Sequence, residues 1–377
     1  MRCDRRQFLL TSGLGLGAAA LCPSAFAAAN RKTKHVVLVA LAGGVRSKET
    51  IESPDNIPNL MRIAGGGVVC PNVKAENVGH YGAALSLFTG NVEVFGIREY
   101  GRSENPTLFE YLRKGLALPA NSVWLSTTNG NQQTNFSYGV HPKYGQRFGA
   151  NLISADGVFN AEFKQIVNSF GTPKIPSEQE ADVVAKMRDA IDLRPGEKTL
   201  GADAVSQRSV EQFILEEIGG KTVSLTGPGA SDAKALRVAS NILRVFKPTF
   251  LGVALQEADI AHNSFNGYVE IIRRNDAEIG RLYDTIQQDP ELRDSTTMFV
   301  VPEFGRDRDL NERNGLDHGD GSTELNRVAM FAWGADIRAN KTVKESIATI
   351  DLAPTICHLF DVKAELARGK VLRSVLA

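Results

Sequence analysis

Glu257, Asp259 and His262 follow one another closely in LQEADIAH, directly after an apolar run. His318 stands in GLDHGDGS, flanked by Asp317 and Asp320; Glu303 and Arg306 stand in VPEFGRD; His80 stands in ENVGHYG. Each of these stretches, taken alone, reads as a polar turn that caps an element. Taken together they read as a metal site. Imidazole nitrogens and carboxylate oxygens without thiolates suit a divalent ion, zinc first, with manganese, iron or calcium as alternatives. Asp259, His262 and His318 make a three-ligand set with an open coordination position, which catalysis at a metal requires. The remaining histidines have plainer settings: His35 precedes a strand, His358 lies inside a packed helical pattern, and His141 falls in a loop.

These groups need elements to carry them. HVVLVALA, residues 35–42, is nearly all apolar and β-branched, as a central parallel strand buried on both faces is. SVWLSTT, TFLGVALQ, TTMFVVPEFG and RVAMFAWG read as further strands, and the segment after GGG at 65–67 as another. Helical patterns lie between them: IPNLMRI with Pro58 at its start, HYGAALSLFTG, PTLFEYLRKG between Pro106 and Gly115, the long amphipathic stretch 268–288, and SIATIDLAPTICHLFDV. Strands alternating with helices predict an α/β fold: a mostly parallel central sheet with helices on both faces. In such sheets ligands bind beyond the C-terminal ends of the strands. The polar clusters at 257–262 and 303–306 both follow strands, so they are expected on one rim. Residues 129–248 are less regular, with helical patterns at EADVVAKMRDAI and SQRSVEQFILEEIGG, and read as an insertion or cap.

Other chemistries lack their signatures. No Gly-x-Ser-x-Gly elbow, G-x-G-x-x-G fingerprint or Cys-x-x-Cys pair is present, and GPGASD lacks the Gly-Lys-Ser/Thr of a phosphate loop. Lys plus Arg and Asp plus Glu balance at 43 each, and no basic tract occurs, so nucleic acid is not an expected partner.

Four segments resemble the alkaline phosphatase superfamily of phosphatases, phosphodiesterases and sulfatases. They are HVVLVALAGGVR, the stretch from PNLMRIAGGG to LSLFTG, LQEADIAHNSFNGYVEIIRRNDAEIGRLYDTI, and TIDLAPTICHLFDVKAELARGKVLRSVL. VPEFGRDRDLNERNGLDHGDG is similar to uncharacterised exported members related to sulfatases. The resemblance implies an alkaline phosphatase-like fold and places Asp259, His262 and His318 as the ligands of one metal. It also implies a second metal, whose ligands are an Asp after the first strand, the nucleophile, and a later Asp-His pair. Here Gly43 and Gly44 stand in place of that Asp, Glu303-Phe304 in place of the pair, and His80 at the nucleophile position. At most one tightly held metal is therefore expected. His80 is a ligand or an acid–base group ahead of a nucleophile, Glu303 a surviving carboxylate ligand or catalytic group, and Arg306 a holder of an anionic substrate group or an ion-pair partner of Asp307 or Asp309. Asn77 is a substrate hydrogen-bond donor or a turn residue.

The implied activity is metal-dependent hydrolysis of phosphate or sulfate esters, on a small anionic substrate. The alternative is a non-catalytic relative that keeps the fold to bind a ligand or for a structural role. Residues 1–29 read as a twin-arginine signal peptide, with Arg5-Arg6, an apolar Gly/Ala stretch and a small-residue exit at Ala25-Phe26-Ala27. A membrane anchor and a lipidated Cys22 rank behind it, because the stretch is broken by glycines and Leu21 is bulky. The expected location is the periplasm or outside the cell, with the twin-arginine translocation machinery as a partner and no stable membrane anchor. Of four cysteines, Cys70 and Cys357 lie beyond the leader, and either one disulfide or two buried thiols fits them.

Overall fold

Val36, Leu38 and Ala40 point to one side of the first strand, and Val37, Val39 and Leu41 to the other, and both sets are buried. A strand can be apolar on both faces only when both are covered. The computed structural model describes residues 31–94, 101–128, 133–155, 212–213, 217 and 225–377. The chain divides into two units, Met1–Arg31 and Lys32–Ala377, and the elements below belong to the second.

Strands β1 (His35–Leu41), β2 (Val68–Lys74), β3 (Val123–Thr127), β4 (Asn151–Ser154), β5 (Phe250–Leu255), β6 (Thr296–Pro302) and β7 (Arg327–Gly334) form one sheet with two short strands, β8 (Lys341–Thr342) and β9 (Ile347–Ala348). The order is β4-β3-β5-β1-β6-β7-β2-β8, with β9 also on β2. From β4 across to β6 all neighbours are parallel; β7 runs antiparallel to both β6 and β2. The sheet is thus mixed and mostly parallel, as the sequence predicts.

Helices α1 (Pro58–Gly65), α2 (His80–Thr89), α3 (Leu108–Gly115), α4 (Ala230–Phe246), α5 (Phe265–Gln288) and α6 (Leu352–Leu359) cover it. Residues of α1, α4 and α5 share one core with Val37 and Val39; residues of α2, α3 and α6 share the other with Val36 and Leu38. Helix α5 starts three residues before the amphipathic pattern does, because the Ser264 hydroxyl accepts from the Gly267 amide and caps it. Helix α6 is shorter than its sequence pattern. Asp351 accepts from the Ala348 and Lys370 amides, so the chain before it turns instead of coiling.

Within the interval read as a cap, β4 extends the sheet and α4 packs on it, so these parts belong to the α/β layers. Much of the rest of that interval, including EADVVAKMRDAI and most of SQRSVEQFILEEIGG, lies outside the described residues, as does the stretch read as a leader, with Arg5, Arg6 and Cys22. Cys70 and Cys357 are two free, buried thiols, one on each of β2 and α6. No helix among the described residues is long and apolar enough to cross a membrane.

Candidate metal centre

Beyond the C-terminal end of β5 the chain makes a short 3₁₀ helix, Glu257–His262, which carries Asp259 and His262. A buried carboxylate on α4 fixes this turn. Asp232 accepts from the Gln256 amide at 2.9 Å, the Glu257 amide at 3.2 Å, the Thr128 hydroxyl at 2.5 Å and Asn275 Nδ2 at 2.8 Å. Glu257 answers by accepting from the Asp232 amide at 2.9 Å. Glu257 is therefore a fastening between turn and helix, outside the cluster that its neighbours form.

His318 arrives on the loop after β6. The Leu316 amide donates to Ala261 O at 2.6 Å, and Asn311 Nδ2 donates to His262 O at 3.0 Å. Arg46, itself paired with Glu49, donates to Asp307 O and Arg308 O. The Asp307 carboxylate accepts from the Gly319 and Asp320 amides, one turn past His318. His80 is the first residue of α2, entered by a turn in which Asn77 accepts from the Gly79 amide and donates to Glu93 O. Asn77 is thus a turn residue.

One ligand atom from each of His80, Asp259, His262 and His318 lies within 4.8 Å of the others. This is the one such group among the described residues. His80 Nε2 is 2.8 Å from Asp259 Oδ1, yet it is buried and has no aligned hydrogen-bond partner. Short separation without hydrogen-bond alignment is what two donors aimed at a shared point produce. The outer ring nitrogens of two histidines are held by carboxylates: Glu303 lies 2.5 Å from His80 Nδ1, and Asp317 lies 2.7 Å from His262 Nδ1. Such carboxylate–imidazole pairs fix ring orientation and tautomer at metal sites. Three imidazoles and one carboxylate fit a zinc-type ion.

Charge is finely set here. Burial would lower the His80 pKa, but Glu303 and Asp259 outweigh it and raise it to about 9. Burial raises Glu303 to about 7, against the pull of His80 and Arg306. For Asp259, burial is outweighed by His80 and Arg306, which hold it well below the usual carboxylate range. Burial, then the nearby charges of His80 and Arg306, push His318 down to about 4, so its lone pair is free at neutral pH. Beside His80 lies a small recess of about 10 Å³, lined by Ala42, Tyr81, Ala84, Gln133, Phe136 and Gln256.

Among solved structures, wild type alkaline phosphatase PafA superposes with a TM-score of 0.59 at 11% identity, over 92% of this chain and 99% of that one. The lipoteichoic acid synthase LtaP from Listeria monocytogenes superposes with a TM-score of 0.52 at 11% identity, over 92% of this chain and 75% of that one. The fold is alkaline phosphatase-like. No family model matches the chain, and no curated protein matches its sequence.

Within this alkaline phosphatase-like frame, two residues singled out in the sequence have other neighbours than the sequence suggests. Glu303 is fully buried behind His80, outside the four-residue cluster, with its carboxylate against the His80 ring. Arg306 is also fully buried, with its guanidinium donating to Gly43 O at 2.5 Å, Asp259 Oδ1 at 2.6 Å, Leu316 O at 3.3 Å and Gly44 O at 3.4 Å. It has no face left for a substrate and pairs with neither Asp307 nor Asp309. His80, open between several roles in the sequence, sits in the ligand cluster. Asp317 was visible only as a neighbour of His318; its partner proves to be His262. Phe304, next to Glu303, lines the centre with its ring 4.8 Å from that of His80 and 5.3 Å from that of His318.

Proposed function

We propose that the chain is a metal-dependent hydrolase of phosphate or sulfate esters with one exchangeable divalent cation. The convergence of His80, Asp259, His262 and His318 within 4.8 Å, at the strand ends of an alkaline phosphatase-like sheet, carries this reading. A divalent ion held there would act as a Lewis acid toward an ester oxygen. The chain's own part is to hold and orient. Glu303 and Asp317 lock two rings, Arg306 locks Asp259, and the His318 imidazole is offered neutral. The recess beside His80 has room for about one water. Its apolar walls are Ala42, Ala84 and Phe136.

The test pairs metal content with turnover. Zn²⁺ retained by the purified protein should be lost in His262→Ala and in His318→Ala, and hydrolysis of aryl phosphate or sulfate esters should fall with it. Retention of the ion in both variants would remove the reading. Metal loss without turnover of any ester by the parent protein would favour a binding role instead. That second reading draws support from His80, an imidazole committed to the cluster where related enzymes carry their attacking group. We also propose export by the twin-arginine pathway to the periplasm, supported by Arg5-Arg6 and the apolar stretch after them. Cell fractionation of Arg5→Lys/Arg6→Lys should show the protein held in the cytoplasm; unaltered export would reject the pathway.

A further inference from the structure

Among the described residues, Arg306 is the largest charged side chain sealed away from solvent, and it lies against the candidate metal centre. Its surroundings are an oxygen-lined recess at the end of β1. Three backbone carbonyls, those of Gly43, Gly44 and Leu316, and Asp259 Oδ1 face the guanidinium. Carbonyl and carboxylate oxygens arranged around a point are also what a hard cation seeks. The chain leaves room for the guanidinium by using Gly43-Gly44. A Cβ on Gly43 would come within 2.7 Å of the Asp259 amide, and one on Gly44, where φ is +67°, within 2.8 Å of Arg306 Nε. A side chain at either position would push Asp259 or Arg306 out of place. Behind His80, the fully buried carboxylate of Glu303 keeps Oε2 without any hydrogen-bond partner. Four oxygens, one of them the Asp259 carboxylate, therefore face a recess that the Arg306 guanidinium fills.

We infer that Arg306 is a built-in cation of this centre: its guanidinium fills the recess beside Asp259 and so limits the chain to one exchangeable divalent ion. The inference rests on the metal reading above and deepens it. A guanidinium is tethered to the chain and does not dissociate from it as a bound ion does, so this cation is permanent. It is paired on one oxygen of Asp259, which keeps that carboxylate ionised and aimed before any ion binds. Removing it would leave Asp259 Oδ1 and three backbone carbonyls around an oxygen-lined space without the cation they face. Arg306 is accordingly a positioning residue, and its role shows in ion stoichiometry, which packing alone would not alter.

The experiment is equilibrium dialysis of the full chain against Zn²⁺, with bound metal counted by mass spectrometry and folding checked by near-UV circular dichroism. The wild-type protein should hold one tight equivalent. Arg306→Lys, which keeps a charge in the recess, should also hold one, with affinity reduced by about tenfold. Arg306→Ala, which empties the recess, should take up a second equivalent. A folded Arg306→Ala that stays at one equivalent, or a wild-type protein that holds two, would overturn the inference. Should Arg306→Ala not fold, Arg306→Ser replaces it with the same expectation, and the wild-type count decides if neither folds. His318→Ala runs alongside. If it binds Zn²⁺ as the wild type does, the metal reading itself fails, and that failure is visible separately from any result at Arg306.

Discussion

His80 joins two acidic neighbours, and both hold its proton. Its pKa in the ion-free protein stands at about 9 against an ordinary 6.5, so the folded state binds this proton more tightly than the unfolded chain. The resulting stability is fully present below about pH 6.5 and is lost as pH rises through about 9. Glu303, raised to about 7, acts in the same direction over its own lower range. The ion-free protein should therefore melt at a lower temperature at pH 9 than at pH 7, and His80→Gln should flatten that slope. A bound divalent ion displaces the proton, so the loaded protein should show a weaker dependence. Thermal scans of both forms at the two pH values check this; a slope of equal size in the loaded protein would contradict it. The sequence shows Asp259, His262 and His318 as candidates because each follows a core strand or sits among glycines. It does not show what Glu303, Asp317 and Arg306 do. Those roles depend on partners far away in the chain, such as His80 for Glu303 and Asp259 for Arg306, and on complete burial that no local pattern reports.

The element that carries Asp259 and His262 is a single turn, too short to hold its own shape. Its stiffness comes from Asp232, whose carboxylate satisfies two backbone amides of that turn and two buried side chains. Asp232→Ala would leave these donors without a partner inside the protein. Each buried unsatisfied group costs about 1–3 kcal/mol, so a loss on the order of 3 kcal/mol is expected in urea unfolding, together with weaker Zn²⁺ binding. A change within about 0.5 kcal/mol, as a surface substitution gives, would show that the turn does not depend on this clamp. The strands themselves were readable, since apolar runs bounded by Gly, Pro and polar residues map directly onto β1, β3, β5, β6 and β7. The direction of β7 was not. Nothing in RVAMFAWG separates a parallel from an antiparallel strand, because both are buried on the same faces. Glu257 shares a turn with Asp259 and His262, but its side chain turns to α4, a contact set by tertiary packing.

Taken as one molecule, the described part of the chain builds a mostly parallel sheet, covers both faces with helices, and brings His80, Asp259, His262, His318, Glu303 and Arg306 to one rim. Arg306, Glu303 and His80 lie under that rim, and Asp259, His262 and His318 open onto it. A core so apolar gives these charges no other place to be balanced, which is why each has a partner of opposite sign or a row of carbonyls. Everything proposed for the chain's chemistry depends on a divalent ion occupying the space between the three imidazoles and Asp259. Anomalous diffraction at the zinc edge, from crystals of the full chain grown with Zn²⁺, reads that out. One strong peak bounded by His80, Asp259, His262 and His318, with imidazole nitrogens at about 2.0–2.1 Å, is the expected result. An ordered site with water or a side chain at that point, and no anomalous signal there, would contradict it.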